Sequence, residues 1–163
     1  MGYDCLIIGG GLAGLTCGIT CLSAGLRTVI ISSGTNALHF SSGSIDVFGY
    51  TRKKEPVNHP FDYIDMFIKE NPGHPYARTG SSGAREAVDF IAAEIAREGL
   101  PLQTNGDDNH FHVTGIGTLK PTYLSQPSVF NERIKNAWES RDPIAAGATS
   151  CRASVNTTTS PRH

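Results

Sequence analysis

Three glycines close to the amino terminus constrain the fold more than any other feature of this chain. Gly9, Gly11 and Gly14 have the G-x-G-x-x-G spacing, in which a tight turn leads from a buried strand into a helix. A short apolar run over residues 5–8 precedes them, and an apolar-periodic run and a second short run, residues 27–31, follow them. This order predicts an α/β fold that starts with a Rossmann-like βαβ unit.

The βαβ unit leads to three expectations about packing. The strand over residues 5–8 contains β-branched residues and is predicted to be buried on both faces of a parallel sheet. The helix is predicted to place Leu15, Ile19 and Leu22 on the sheet, because these residues recur about one turn apart. Gly25 stands where a helix commonly ends in the left-handed conformation.

The glycine turn also predicts a ligand. Free backbone N–H groups at the start of the helix, and the positive end of its dipole, favour a phosphate, so we expect dinucleotide or flavin binding. The residues predicted to contact phosphate are Gly9, Gly10, Gly11, Ala13 and Gly14. An acidic residue usually follows about 20 residues later and binds ribose, but Ser32 stands there. A serine hydroxyl lacks the charge that strengthens such a bond, so the adenosine is held weakly or the ligand has no adenosine.

Composition excludes several other functions. Fourteen basic and fifteen acidic side chains leave a net charge of −1, and without a basic stripe we exclude nucleic acid as a partner. Residues 5–26 carry no charge and are long enough to cross a bilayer, but their glycines and hydroxyl residues disfavour a transmembrane segment. No basic residue precedes this run, as a signal peptide would require. We therefore expect a cytoplasmic protein with reduced thiols.

Potential metal ligands are present but do not form a complete set. Cys17 and Cys21 share one face of the predicted helix, yet two thiolates do not form a closed metal site. We interpret them, together with Cys5, as small buried apolar residues, which is the habit of free cysteine. His110 and His112 alternate along a predicted strand without a third ligand. We interpret these histidines as ordinary core or surface residues and predict no metal site.

Residues 32–44, after the second predicted strand, are rich in glycine and hydroxyl residues. A loop in this position lies at the carboxyl edge of a parallel sheet, where ligands bind. It is either a flavin-contacting loop or an ordinary solvated connection, and spacing alone leaves both interpretations open. His39 could accept a proton from a substrate hydroxyl, but we favour a role in holding the loop through a hydrogen bond. The catalytic residues therefore stay unassigned.

Periodicity predicts two helices in the second part of the chain. One is expected to begin at Pro60 and to end at Asn71, where a proline follows. After a loop over residues 80–83, another is expected over residues 84–98, with Gly99 as its stop. Its predicted apolar face consists of Ala84, Ala87, Val88, Ile91 and Ile95.

A β-hairpin is predicted after these helices. Two short strand-like runs flank residues 104–109, and the Asn-Gly pair within them is a strong turn signal. We therefore expect the two strands of the hairpin within residues 100–113.

Three separate motifs carry a resemblance to a known family. They are Ala-Leu-His-Phe-Ser-Ser-Gly-Ser-Ile-Asp at residues 37–46, His-Pro-Tyr at residues 74–76 and Gly-Thr-Leu-Lys-Pro-Thr-Tyr-Leu-Ser at residues 117–125. Their sequence and order resemble the amino-terminal part of the B subunit of anaerobic glycerol-3-phosphate dehydrogenase, from residue 3 to residue 129.

The resemblance implies a flavoprotein of FAD/NAD(P)-binding, two-domain architecture, with FMN as the flavin associated with the B subunit and FAD as the other candidate. It implies oxidation of sn-glycerol 3-phosphate to dihydroxyacetone phosphate, with electrons passed to a quinone acceptor. The implied partners are a homologous FAD-containing A subunit and an iron–sulfur membrane subunit, through which the chain would lie peripherally on the inner face of the cell membrane. It also favours the flavin-facing interpretation of the loop, with contacts from Ser41, Ser42, Gly43 and Ser44.

We predict three regions in the chain. Residues 1–50 form the flavin- or nucleotide-binding βαβ unit with its loop, and residues 51–130 form the helices and hairpin that begin a second lobe. Residues 131–163 are polar and aperiodic and are predicted to form a disordered tail. Within them, Asp-Pro-Ile-x-x-Gly from Asp142 resembles the far carboxyl-terminal segment of the same family, which implies an incomplete domain joined from two ends. We do not expect the chain alone to be an active dehydrogenase; the alternative is a non-catalytic remnant.

Overall fold

The computed structural model describes residues 2–132 and residue 134 of the chain. Its elements in chain order are β1 (Cys5–Ile8), α1 (Leu12–Ser23), β2 (Thr28–Ile31), a short 3-10 helix (Ala37–Phe40), α2 (Pro60–Glu70), α3 (Tyr76–Arg97), β3 (His110–Val113) and β4 (Leu119–Thr122). Apart from residues 131, 132 and 134, the predicted tail, including the segment from Asp142, lies outside the described residues.

The predicted strand, glycine turn, helix and strand form as expected. Strands β1 and β2 pair in parallel, from Cys5 opposite Thr28 to Ile8 opposite Ile31. Helix α1 ends two residues before Gly25, which has a φ of 77°. Its N–H donates to the carbonyl of Leu22, so the left-handed helix end is confirmed.

The face that α1 turns to the sheet differs from the prediction. A Cβ on Gly18 would lie 2.7 Å from the Cδ1 atom of Ile30 and 3.7 Å from that of Ile7, so this face runs close to both strands. Leu15 and Leu22 are 38% and 61% exposed, so their predicted packing on the sheet is wrong. Glycine at position 18 allows the backbone itself to approach the strands.

The burial of β1 on both faces is also wrong. Helix α1 covers the face that carries Cys5 and Ile7, whereas Leu6 and Ile8 on the opposite face are 58% and 85% exposed. No element within residues 2–132 covers that second face. An apolar strand sequence indicates that burial is favourable, but the burial itself depends on a partner element.

The second part of the chain, residues 45–125, contains the core and is called the packed lobe below. The buried cluster consists of Phe61 and Ile64 from α2 together with Tyr123 and Leu124, which follow β4. The aromatic rings of Phe61 and Tyr123 meet edge to face with their centroids 5.1 Å apart. Helix α2 begins at Pro60 and is followed by Asn71, as predicted.

Helix α3 is longer than the sequence indicates. It starts at Tyr76 and continues to Arg97, with a break at Gly80, whose φ is 69°. The predicted loop over residues 80–83 is therefore wrong beyond Gly80, because its serines and last glycine are helical. Gly99, with a φ of 79°, follows the helix as its predicted stop.

The predicted apolar face of α3 is largely correct. Ala84 and Val88 pack against the core of the packed lobe, together with Ala92. Ala87 is exposed, contrary to the prediction.

The β-hairpin does not form around the predicted turn at residues 104–109 but around the next turn, between β3 and β4. Strand β3 pairs with β4, from His110 opposite Thr122 to Val113 opposite Leu119, and not with the residues before it. The Asn-Gly pair does form a turn, in which Gly106 has a φ of 64°.

Side-chain contacts explain why this turn does not close a hairpin. Asp108 accepts a hydrogen bond from the imidazole of His59 at 2.6 Å, and Asp107 forms an ion pair with Arg85 at 2.5 Å. These contacts tie the turn to α3 and to the residue that precedes α2, and the residues before the turn pair with Ser125 through Gln103 instead.

Candidate functional site

The glycine loop lies at the carboxyl ends of two parallel strands. Gly9, Gly10 and Gly11 connect the end of β1 to the start of α1. The N–H of Gly9 donates to the carbonyl of Ile31, the last residue of β2, at 2.8 Å. This hydrogen bond fixes the loop at the sheet edge where ligands bind in open α/β folds.

The third glycine of the pattern is required by packing. A Cβ on Gly14 would overlap the backbone carbonyl of Gly9 and would lie 3.5 Å from the Cγ2 atom of Ile7. Any other residue would push the helix away from the loop. Ala13, the neighbouring predicted contact, is exposed in the first turn of α1.

The second glycine faces open space. Apart from Gly11 itself and its two neighbours in the chain, no described atom lies within 4 Å of the position that a Cβ on Gly11 would occupy. Gly11 is also the N-cap of α1, and within the described part of the chain no side chain caps the helix and no acidic residue lies in its first turn. The N–H groups of the first turn therefore favour an anion.

Ser32 lies directly beside the glycine loop. A Cβ on Gly10 would be 2.8 Å from the Ser32 hydroxyl and 3.6 Å from the Nδ2 atom of Asn36. The structure thus brings together the residues predicted to contact phosphate and the residue predicted to contact ribose. Asn36 was not predicted; its side chain caps the 3-10 helix by accepting a hydrogen bond from the N–H of Leu38 at 3.0 Å.

The predicted flavin-facing loop, residues 41–44, is called the serine loop below. The hydroxyl of Ser41 accepts from the N–H of Gly43 at 3.2 Å, and the hydroxyl of Ser42 accepts from the N–H of Ser44 at 3.4 Å. Gly43 has a φ of 69°, and a Cβ there would overlap the side-chain amide of Gln126. The loop is therefore shaped by its own serines and seated against the packed lobe.

Ser44 makes the side-chain contact between the serine loop and β3. Its hydroxyl lies 3.3 Å from the Nδ1 atom of His112. His112 is 3% exposed, and burial together with the nearby Lys120 cation lowers its pKa, against an opposing effect of the Asp46 carboxylate. The imidazole is consequently kept neutral, and a neutral ring can donate or accept at Nδ1.

A charged pair borders this contact. The carboxylate of Asp46 accepts from Lys120 Nζ at 2.7 Å and from the Thr122 hydroxyl at 2.6 Å. No local sequence signal would have paired Ser44 with His112, because the two residues are 68 positions apart in the chain.

The other two histidines considered as candidates from the sequence, His110 and His39, differ in burial. His110 is fully buried and its Nε2 atom lies 2.7 Å from the Ser125 hydroxyl; it is a core histidine, as is His112. His39 is exposed, and its ring meets Phe40 edge to face at 5.1 Å. Its predicted role in holding the loop stays a prediction.

The cysteines are only partly buried. The Sγ atoms of Cys5 and Cys21 lie 3.7 Å apart between β1 and α1, whereas Cys17 is exposed. The interpretation of Cys17 as a buried residue is therefore wrong. Interaction with Cys21 raises the pKa of the Cys17 thiol. Among residues 2–132, no three His, Cys, Asp or Glu side chains form a potential metal site.

Two cavities open on the packed lobe, away from the glycine loop. One is bordered by Arg52, Lys53, Glu55, Tyr63, Phe67 and Glu70, and the other by Val47, Phe48, Tyr50, His74 and Tyr76. None of the residues predicted to contact the cofactor lines either cavity. No helix in the described ranges has both the length and the apolar composition needed to span a bilayer.

Comparisons with known proteins agree with this geometry. The FAD binding domain family model matches residues 4–163. The chain is 49% identical over 130 residues to the B subunit of anaerobic glycerol-3-phosphate dehydrogenase from Aliivibrio fischeri (strain MJ11), and the alignment covers 79% of this chain and 29% of that protein. The B subunit from Vibrio vulnificus (strain YJ016) is 41% identical over 140 residues, covering 85% of this chain and 32% of that protein.

A third relative, the B subunit from Pectobacterium atrosepticum, is 37% identical over 147 residues, covering 90% of this chain and 35% of that protein. The chain thus spans about a third of the length of these curated relatives. No solved structure matches it. The resemblance inferred from the three motifs is confirmed, and the chain belongs to the FAD binding domain family of flavoproteins.

Proposed function

We propose that this chain is the flavin-binding part of an oxidoreductase subunit that oxidises sn-glycerol 3-phosphate to dihydroxyacetone phosphate. The observation that carries the proposal is 37% to 49% identity to proteins named as the B subunit of anaerobic glycerol-3-phosphate dehydrogenase. The open space at Gly11 and the uncapped start of α1 provide a place for the phosphate of a flavin. A quinone is the proposed electron acceptor.

The residues of the glycine loop fit the phosphate-binding role. Gly10 and Gly11 lie at the carboxyl edge of the sheet, and the first turn of α1, including Ala13, begins beside them. Gly9 and Gly14 contact each other and set the close approach of loop and helix. Uncapped N–H groups at a helix start stabilise an anion through hydrogen bonds and the helix dipole.

The identity of the flavin affects the role of Ser32. For FAD, its hydroxyl, which lies beside Gly10, would bond to the adenosine ribose. For FMN, which has no adenosine, that contact would be absent. The family resemblance favours FMN, and the missing acidic residue at position 32 agrees with it.

The redox chemistry belongs to the cofactor, and the chain binds and orients it. A bound flavin would accept a hydride from carbon 2 of the substrate. We propose that the serine loop, Ser41, Ser42, Gly43 and Ser44, lies against the flavin. Its backbone is fixed by the hydrogen bonds of Ser41 and Ser42, so its polar groups are held in place before a ligand arrives.

We further propose that the chain works with a homologous FAD-containing A subunit and an iron–sulfur membrane subunit, and that these hold it on the inner face of the cell membrane. The relatives that carry the enzyme name are about three times as long. We therefore expect the chain alone to bind flavin without oxidising the substrate.

Flavin binding tests the proposal directly. The purified chain is titrated with FMN and with FAD, and quenching of flavin fluorescence gives the dissociation constants. Gly11→Leu should weaken binding by about tenfold or more, because the new side chain would occupy the space proposed for the phosphate. Gly115→Leu is the matched control, since Gly115 also faces open space and its φ is ordinary.

The outcomes separate the proposal from its alternative, a non-catalytic remnant that binds nucleotide poorly. The proposal is supported if wild type and Gly115→Leu bind flavin with similar dissociation constants and Gly11→Leu binds about tenfold more weakly or not at all. A colourless protein that quenches neither flavin supports the remnant. The exposed apolar face of β1, with Ile8 85% exposed, is the observation that favours this alternative.

A further inference from the structure

The contact between Ser44 and His112 has no role in the proposed cofactor binding as described so far. His112 is almost completely buried in β3, and a buried imidazole requires polar partners to offset the loss of water. Its Nδ1 atom lies 3.3 Å from the hydroxyl of Ser44, the last residue of the serine loop. The contact therefore joins the proposed flavin-facing segment to the core of the packed lobe.

The residue after the serine loop is fixed by backbone hydrogen bonds. The N–H of Ile45 donates to the carbonyl of Leu124 at 2.8 Å, and the N–H of Leu124 donates back to the carbonyl of Ile45 at 3.0 Å. Ile45 is thus paired with the segment that follows β4. The loop ends one residue earlier, at the position whose side chain reaches His112.

The serine loop itself has only local backbone support in front of this point. Ser41 and Ser42 accept hydrogen bonds from N–H groups two residues ahead, and such turns fix local shape without fixing the orientation of the loop. Gly43 rests against Gln126, which is exposed. The Ser44 hydroxyl therefore provides a partly buried side-chain contact between the loop and β3.

Two charged groups of the described part of the chain, Lys120 and Asp46, act on His112. Lys120 stands opposite it in the β3–β4 register, and Asp46 pairs with Lys120 at 2.7 Å. Burial and Lys120 both lower the pKa of His112, and Asp46 opposes them. The ring is neutral at neutral pH and can hydrogen-bond the Ser44 hydroxyl in either direction.

We infer that His112 is a positioning residue for the flavin site, which holds the serine loop in place through the hydroxyl of Ser44. The inference rests on the proposed function, because it takes the serine loop to face the flavin. His112 does not touch the flavin in this arrangement. It acts through Ser44, and the two side chains should therefore behave as one unit.

A double-mutant cycle tests this coupling. The variants are Ser44→Ala, His112→Leu and the double variant, and each is measured in two ways. Hydrogen exchange of the amides of residues 43–45 measures the order of the loop without any ligand. Fluorescence titration with FMN and with FAD measures the affinity of the site for flavin. We expect each single variant to raise exchange and to weaken flavin binding about fivefold, the scale of one net hydrogen bond.

Coupling predicts that the double variant is no worse than either single variant. His112→Asn should restore most of the effect, because its side-chain amide can occupy the place of Nδ1 and hydrogen-bond Ser44. Ser125→Ala is the matched control. It removes a second serine–histidine hydrogen bond, to His110 at 2.7 Å, away from the serine loop, so exchange at residues 43–45 should not change.

The results distinguish this inference from the proposed function. If wild type binds flavin, and the Ser44 and His112 variants leave both loop exchange and affinity unchanged or act additively, the inference is overturned and the proposed function stands. If wild type binds neither flavin, the proposed function is overturned, and the exchange measurements alone decide whether His112 holds the loop. Equal loss of protection in Ser125→Ala would show general destabilisation and would also overturn the inference.

Discussion

The β1–α1–β2 unit and the packed lobe differ in how far they bury their large apolar side chains. In the first, Leu6, Ile8 and Ile31 are each more than half exposed. In the second, Ile64 and Leu124 are 0% and 2% exposed. The unit nevertheless has a complete parallel register and a glycine loop that is hydrogen-bonded to the end of β2.

The difference shows that a loop geometry can be specified without a surrounding core. The close approach of Gly14 to Gly9 is a local backbone feature, and the hydrogen bond from Gly9 to Ile31 lies within the same βαβ unit. They follow from glycine positions in a short stretch of sequence. The packed lobe depends on contacts between residues far apart in the chain, such as Phe61 with Tyr123, and these supply its stability through apolar burial.

Replacing one isoleucine in each region by alanine should give the largest difference in the free energy of unfolding between the two regions. Ile64→Ala removes a fully buried side chain and should lower the free energy of unfolding by about 2–5 kcal/mol. Ile8→Ala, the matched control, removes a side chain that is 85% exposed and should change it by no more than about 0.5 kcal/mol. Urea denaturation of both variants measures the two values.

A large loss from Ile8→Ala would break the comparison. It would mean that the second face of β1 is covered in solution, for example by association of two chains. Repeating the measurement at several protein concentrations identifies that case, because association makes the unfolding midpoint depend on concentration.

Alanine substitutions at two glycines of α1 should differ in their effect on the free energy of unfolding, by less than the two isoleucine substitutions do. Gly14→Ala places a methyl group against the backbone carbonyl of Gly9, which cannot move alone, and should cost about 1–3 kcal/mol. Gly18→Ala meets the flexible end of Ile30, and the gain in helix propensity, about 0.8–1.0 kcal/mol, offsets most of that strain. Thermal unfolding followed by circular dichroism compares the two. Equal costs would show that loop and helix are not in contact at Gly14.

The sequence alone was sufficient for the regular parts of the β1–α1–β2 unit. Glycine spacing located the turn between β1 and α1, and Gly25 located the helix end, because both are short-range backbone requirements. The helix face was wrong for a related reason. Counting apolar residues favoured Leu15 and Leu22, whereas the glycine at position 18 marks where the backbone comes closest to the sheet.

The packed lobe was less predictable because its decisive contacts are long-range. The Asn-Gly turn was predicted, but the strand pairing around it was not, since Asp107 binds Arg85 of α3 and Asp108 binds His59, the residue before α2. For the same reason no pattern indicated that the Ser44 hydroxyl would meet His112. The serine loop was selected by resemblance, and its anchor became visible only in the folded chain.

The smallest predicted effect is one of pH. Lowering the pH should reduce the stability of the packed lobe before that of the β1–α1–β2 unit. The pKa of His112 in the packed lobe is lowered from 6.5, mainly by burial, so the unfolded chain binds this proton more readily than the folded one. The stability that neutral His112 contributes is therefore complete above about pH 6.5 and is lost as the pH falls from there through the lowered pKa of the folded state.

In the β1–α1–β2 unit, a hydrogen bond from Arg27 lowers the pKa of Asp4 from 3.8, so the stability that ionised Asp4 contributes is lost only at more acidic pH. Hydrogen exchange, corrected for intrinsic rates, should show protection of β3 and β4 falling as the pH drops below about 6.5, while that of β1 and β2 persists. His112→Asn should abolish the first change, and a parallel loss in both sheets would show that the regions unfold as one unit.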